Sequence, residues 1–231
     1  MPDLSPIKSL SIFAFAIFAF NFLCNPAKAQ PRDSFPFANE IRAFLAKDSL
    51  NRPPKGGLVF IGSSSIRKWD DFEQRFPNPK LIRRGVGGST LAELVDYYTP
   101  YILFPYAPGK IFIYEGENDI ASGATPLQLM ANYKKLADMI RAKLPDAELY
   151  LLSIKYSPSR AKFSNSVRKT NQMLRAYIKG QKKVHYINVT NALLIADGKS
   201  DPSLFEKDML HLNTKGYDRW DKVLRPYFME E

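Results

Sequence analysis

From about residue 56 onward, apolar residues come in short runs, and after most of them apolar positions recur every third or fourth residue. The runs are "GLVFIG", "KLIRRG", "KIFIYEG", "ELYLLSI" and "KVHYINV". Short runs bounded by turn residues predict strands, and the three-to-four spacing predicts amphipathic helices. Ile66, Trp69, Phe72 and Phe76 predict a helix from about Ser65 to Phe76. Leu91, Leu94, Val95, Tyr98 and Ile102 predict the next, entered through Thr90 and Glu93 at capping-box spacing. Thr125 and Pro126 read as the N-cap and first residue of a helix carrying Leu129, Tyr133, Leu136 and Ile140. Val167, Leu174 and Ile178 predict a helix ending at Gly180, and Tyr217, Trp220 and Leu224 mark a last one.

Five strands alternating with helices predict an α/β protein with a parallel sheet covered on both faces. One doubly wound domain over about residues 36 to 229 accounts for the pattern, with no internal repeat and no linker beyond "AQPRDSFP". In such sheets ligands bind beyond the carboxyl ends of the strands, so chemistry is expected in the residues just after each run.

The N-terminus follows a different pattern. Lys8 precedes the apolar run "LSIFAFAIFAFNFLC", which leads into "NPAKAQ". A basic start, an apolar centre and an A-x-A site predict a secretory signal over residues 1–29, cleaved after Ala29. The run is shorter than the roughly 20 residues a spanning helix needs, so no stable membrane span is expected in the mature protein. Cys24, the only cysteine, leaves with this segment, and Leu23 stands where a lipidation motif wants a small residue. The expected product is an exported protein, periplasmic or extracellular, held together by its core and not by disulfides.

Composition adds little. The formal net charge of +10 raises the question of nucleic acid, but the basic residues are spread along the chain and no nucleic-acid-binding motif is present. Nucleic acid is not expected as a partner.

Four strand ends carry unusual residues: Gly62-Ser63-Ser64-Ser65, "GVGGST" (residues 85–90), "GEND" (residues 116–119) and, before the last helix, "DMLHLN" (residues 208–213). Acyl transfer needs a nucleophile, a base, a group that orients the base and donors for the developing oxyanion. The chain has two histidines. His185 lies inside a strand pattern and reads as structural, whereas His211 follows Asp208 by three residues in a loop, where a carboxylate can reach its Nδ1. The glycines of the second block allow backbone N–H groups to approach a ligand or simply make a tight turn. Asn118 can donate its side-chain amide or serve an Asn-Asp turn. Spacing alone does not choose among the three serines.

In this order the four blocks resemble the SGNH, or GDSL-type, superfamily of esterases and lipases, from about Leu58 to Trp220. The resemblance implies a flavodoxin-like three-layer α/β/α sandwich and a two-step ester hydrolysis without metal or cofactor. It implies Ser64 as nucleophile, His211 as base and Asp208 as its orienting carboxylate. The oxyanion donors it implies are the Ser64 and Gly88 amides and the Asn118 side chain. Asp119 is expected to brace its turn, and Ser153, Lys155 and Arg160 to line a rim or a solvated loop. Ser63 and Ser89 stand where the family usually has aspartates. The G-x-S-x-G elbow of the α/β-hydrolases is absent, since Ile66 follows Ser65. The expected substrates are short acyl or acetyl esters, on carbohydrate or a small alcohol. The alternatives are a lysophospholipid acyl hydrolase and a glycan-binding module without turnover.

Overall fold

The computed structural model describes residues 35–229. The expected signal segment, its cleavage site and Cys24 lie outside the described residues. The elements, in chain order, are α1 (Ala38–Leu50), β1 (Leu58–Gly62), α2 (Ser64–Arg67), α3 (Phe72–Arg75), β2 (Leu81–Gly85), α4 (Leu91–Glu93), α5 (Thr99–Ile102), β3 (Lys110–Tyr114), α6 (Glu117–Ala121), α7 (Pro126–Lys143), β4 (Glu148–Leu152), α8 (Ser164–Tyr177), β5 (Val184–Ile187) and α9 (Thr214–Phe228). A π-turn over Leu94–Tyr98 joins α4 to α5. No helix among the described residues is long and apolar enough to cross a membrane.

All strand pairs are parallel, in the order β2-β1-β3-β4-β5. Strand order reverses between β1 and β3, so the crevice where ligands bind in such sheets lies beside Gly62 and Tyr114, which pair at the strand ends. Alternation along each strand builds two different cores. Val59, Ile61, Ile111, Ile113, Leu149 and Leu151 point to an aliphatic layer under α1, α4, α5, α7 and α8. Phe60, Phe112 and Tyr150 point to an aromatic layer with Trp69, Phe72, Trp220 and Phe228 from α3, α9 and the α2–α3 turn.

The capping expectations hold: Thr90 and Glu93 form a reciprocal box at α4, and Thr125 with Gln128 forms another at α7. The helix expected over Ser65–Phe76 is instead two four-residue helices. At the break Trp69 turns inward and stacks on Tyr217, with ring centroids 4.8 Å apart. Three carbonyls at the break are bound by Arg83 on β2, whose guanidinium donates to Ile66, Arg67 and Trp69 at 3.1, 3.2 and 2.6 Å. A buried indole and a cation supplied from another strand thus outweigh the helical period. Gly85 is needed where α2 crosses β2, because a Cβ there would lie 2.3 Å from the Arg67 nitrogen.

Candidate active site

The short α2 presents the serine triplet to the crevice. Ser63 is the extended N-cap residue, buried, with its carbonyl accepting from Ile66 and Arg67. Ser65 is also buried; its hydroxyl lies 3.3 Å from Lys155 Nζ and its carbonyl accepts from Tyr217. Ser64 alone of the three meets a histidine, with Oγ 2.9 Å from His211 Nε2. As the first helical residue, its own N–H has no intrahelical acceptor.

His211 sits in the turn that precedes α9. Its Nδ1 lies 2.6 Å from Asp208 Oδ2, while Asp208 Oδ1 accepts from the Leu210 and His211 amides at 2.9 and 3.0 Å. Partial burial would raise the Asp208 carboxyl, but the ring and the two amides outweigh it and hold it far below its ordinary value. The turn is tight enough to place Met209 in the left-handed region at φ 53. It is pinned from the β4–α8 segment, where Ser159 donates to the Met209 carbonyl through both its amide and its hydroxyl, at 3.0 and 2.9 Å. Lys68 Nζ stands 3.3 Å from His211 Nδ1. With Nδ1–H given to Asp208, and no lone pair on an ammonium, this is a charge beside the carboxylate–imidazole pair and not a hydrogen bond to it.

The glycine turn lies across the crevice. Gly88 is exposed and left-handed at φ 85. Before it, Gly87 donates its N–H to Glu40 Oε2 at 3.0 Å, and Glu40 also faces Arg67 at 3.8 Å. The turn is therefore tied to α1, an element the apolar pattern did not reveal. Below it, Ser89 donates from its hydroxyl to Glu115 Oε1 at 2.7 Å. Glu115 is fully buried; burial pushes its carboxyl well up, and Oε2 has no hydrogen-bond partner. Asp119 braces the start of α4, accepting from the Leu91 amide at 2.9 Å; burial pushes it up against that donation.

Asn118, at the start of α6, donates through Nδ2 to the Ser89 carbonyl at 2.8 Å and accepts at Oδ1 from Arg160 at 3.0 Å. Behind it Glu117 holds Lys155 and Ser157 and accepts from the Tyr114 hydroxyl at 3.2 Å. Burial pushes the Lys155 ammonium down while Glu117 pulls it up. This corrects the rim expectation. Ser153 and Lys155 are buried, the former bonded to Thr190, and only Arg160 stands at the site, with 22% of its side chain exposed. His185 remains outside, stacked on Tyr150 at the edge strand with ring centroids 4.6 Å apart.

Sequence reasoning missed Glu40, Glu115, Ser159 and the contact of Lys68. Glu115 alone left a local signal, as a carboxylate ending an apolar run. The described residues hold no cluster of side chains suited to a metal ion.

Ser64, Gly88, Asn118 and His211 thus stand around the end of the crevice of a doubly wound sheet. The chain belongs to the GDSL-like Lipase/Acylhydrolase family, whose model matches residues 61–219. No curated protein matches it. Among solved structures it is similar to a GDSL-like lipase from Bacteroides thetaiotaomicron, at 19% identity and TM-score 0.70, covering 84% of this chain and 98% of that one. It also resembles a carbohydrate esterase family 3 structure from Talaromyces cellulolyticus (12% identity, TM-score 0.60, covering 75% and 96%). A variant of an acetyl-xylooligosaccharide esterase from Geobacillus Stearmophilus is similar at 11% identity and TM-score 0.61, covering 78% and 97%. At these identities the likeness is one of fold.

Proposed function

We propose that this protein is an exported serine esterase that hydrolyses short acyl or acetyl esters. The observation that carries the reading is the continuous chain from Ser64 Oγ through the His211 ring to Asp208, at 2.9 and 2.6 Å. His211 Nε2 takes the Ser64 proton as Oγ attacks the ester carbonyl, while Asp208 fixes the tautomer and stabilises the imidazolium. The tetrahedral intermediate collapses with expulsion of the alcohol, which takes the proton back from His211. Water, deprotonated by His211, then attacks the acyl-Ser64, and the intermediate collapses by expelling Ser64 Oγ, which takes the proton back from His211 as the acid product leaves.

The Ser64 and Gly88 amides and the Asn118 side chain receive the oxyanion in this mechanism. Loss of one such donor costs about 10²–10³ in turnover. Arg160 positions the third donor. A guanidinium only donates, so Asn118 Oδ1 must face it, which turns Nδ2 toward Ser89 and the crevice. One Nδ2 hydrogen goes to the Ser89 carbonyl and the other remains for the substrate. Acetyl esters are favoured as substrates because two of the similar structures are named for carbohydrate and acetyl-xylooligosaccharide esters. Export rests on the N-terminal pattern of Lys8, the apolar run and "NPAKAQ".

Hydrolysis of p-nitrophenyl acetate tests the assignment. Ser64→Ala is expected to abolish turnover while Ser63→Ala retains it; the reverse outcome would overturn the choice of nucleophile. Rates across esters from acetate to palmitate, falling with chain length, separate this reading from a lipid acyl hydrolase.

A further inference from the structure

The basic residues are spread along this chain, but its net positive charge is concentrated in one stretch. Between Glu148 and Asp197 there are nine lysines and arginines and no acidic residue, against a net charge of +10 for the whole chain. Lys155 is buried with Glu117, and Arg160 faces Asn118 at the site. The rest lie on the surface of α8 and the turns at its two ends. Lys162 precedes the helix, Arg168, Lys169 and Arg175 lie on it, and Lys179 and Lys182 follow it, all exposed.

Their placement makes a track. Val167, Thr170 and Leu174 take the buried side of α8, so Arg168, Gln172, Arg175 and Lys179 share one outward stripe. As a crossover helix in a parallel sheet, α8 starts at the catalytic edge and runs back to the opposite one. Fourteen residues at 1.5 Å each give it about 21 Å. Among the described residues, Lys183 pairs with Asp146 at 2.8 Å, but Arg168, Lys169, Arg175, Lys179 and Lys182 form no ion pair. Lys162 and Arg175 lie over the rings of Phe163 and Tyr186, which leaves their charge uncompensated.

We propose that this face binds a linear anionic polysaccharide and feeds its ester groups to Ser64, so that the substrate is an acylated acidic glycan. The inference rests on the esterase reading and narrows its substrate class. A track that starts beside Arg160 at the candidate site suits a chain whose own anions lie a few sugar units from the ester. A membrane fits less well. None of the exposed large hydrophobic side chains lies on α8, and a bilayer against this face would leave the catalytic edge at its side. Nucleic acid carries the anions but offers the site no carboxylic ester.

The test compares acetate release from chemically acetylated polygalacturonate and from neutral acetylated xylan, with p-nitrophenyl acetate as the reference. The expected result is a preference of about tenfold or more in kcat/KM for the anionic polymer, collapsing as salt is raised. The variant Arg168→Glu/Arg175→Glu/Lys179→Glu should lose the preference and keep p-nitrophenyl acetate turnover. Equal rates on the two polymers, or a preference that survives charge reversal, would overturn the proposal. So would tighter binding of Ser64→Ala protein to phosphatidylglycerol vesicles, or to duplex DNA, than to polygalacturonate. If Ser64→Ala protein retains polygalacturonate while wild-type protein cleaves no ester, the esterase reading falls and the binding face stands.

Discussion

The Arg160 guanidinium donates to Asn118 Oδ1 at 3.0 Å, across 42 residues of chain, and the same amide donates to the Ser89 carbonyl at 2.8 Å. Together these contacts give the Asn118 side chain a single orientation. Arg160 is itself backed by Glu117, whose carboxylate lies 4.0 Å away and is held by Lys155 and Ser157. In the proposed mechanism Asn118 is an oxyanion donor, and one that cannot flip costs no reorganisation when charge develops on the substrate.

Arg160→Met therefore lowers kcat on p-nitrophenyl acetate by about tenfold or more, with little change in KM, because the lost orientation matters only in the transition state. Steady-state kinetics on the single variants and on Arg160→Met/Asn118→Ala check it. The double variant should be no slower than Asn118→Ala alone; additive losses would show that Arg160 acts independently of Asn118.

Asp208→Asn keeps the turn, since an amide oxygen still accepts from the Leu210 and His211 N–H groups. Its Nδ2 then faces His211 Nδ1 as a donor and forces the proton to Nε2, where it cannot receive the Ser64 proton. Turnover should fall by about 10³–10⁴ with an unchanged melting temperature. A loss below tenfold would sink the orienting role.

Ser89→Asp, which restores the aspartate common in the family, would set a second carboxylate against buried Glu115. Glu115 stays protonated there, so any charge on the added carboxyl is buried without compensation, at a cost of about 3–5 kcal/mol. Denaturant unfolding of Ser89→Asp, alone and combined with Glu115→Gln, checks this. The combination should recover most of the loss, and failure to do so would place the damage elsewhere in the turn.

Glu115 also makes stability depend on pH. Its carboxyl is raised in the folded protein, chiefly by burial, with the Ser89 hydroxyl and Asp119 acting in opposite directions. The folded state therefore holds a proton that the unfolded chain gives up at the ordinary glutamate value of about 4.3. This contribution is fully present below that value and is lost as pH rises toward the raised folded value. Glu115→Gln cannot titrate, so its melting temperature should fall less than that of the wild type from mildly acidic to neutral pH. Parallel curves would show that Glu115 titrates normally.

The pattern of apolar positions by itself determined the five strands and the parallel two-faced sheet, and the cap residues determined the entries of α4 and α7. These features are local: period, run length and cap chemistry act within a few residues of one another. The four blocks likewise carried the family resemblance, which singled out Ser64 where spacing could not. The rest was decided by tertiary structure. Helix α1 has only Ala38 and Ile41 buried, too little for a readable stripe, yet its Glu40 ties the glycine turn. The break after α2 depends on Arg83 arriving from β2, and the orientation of Asn118 on Arg160. A serine next to Ser64 differs from it in nothing but direction, and direction follows from α2 lying across β2 at Gly85. Polar groups find such partners only after folding has removed water from both, so no local pattern records the pairing.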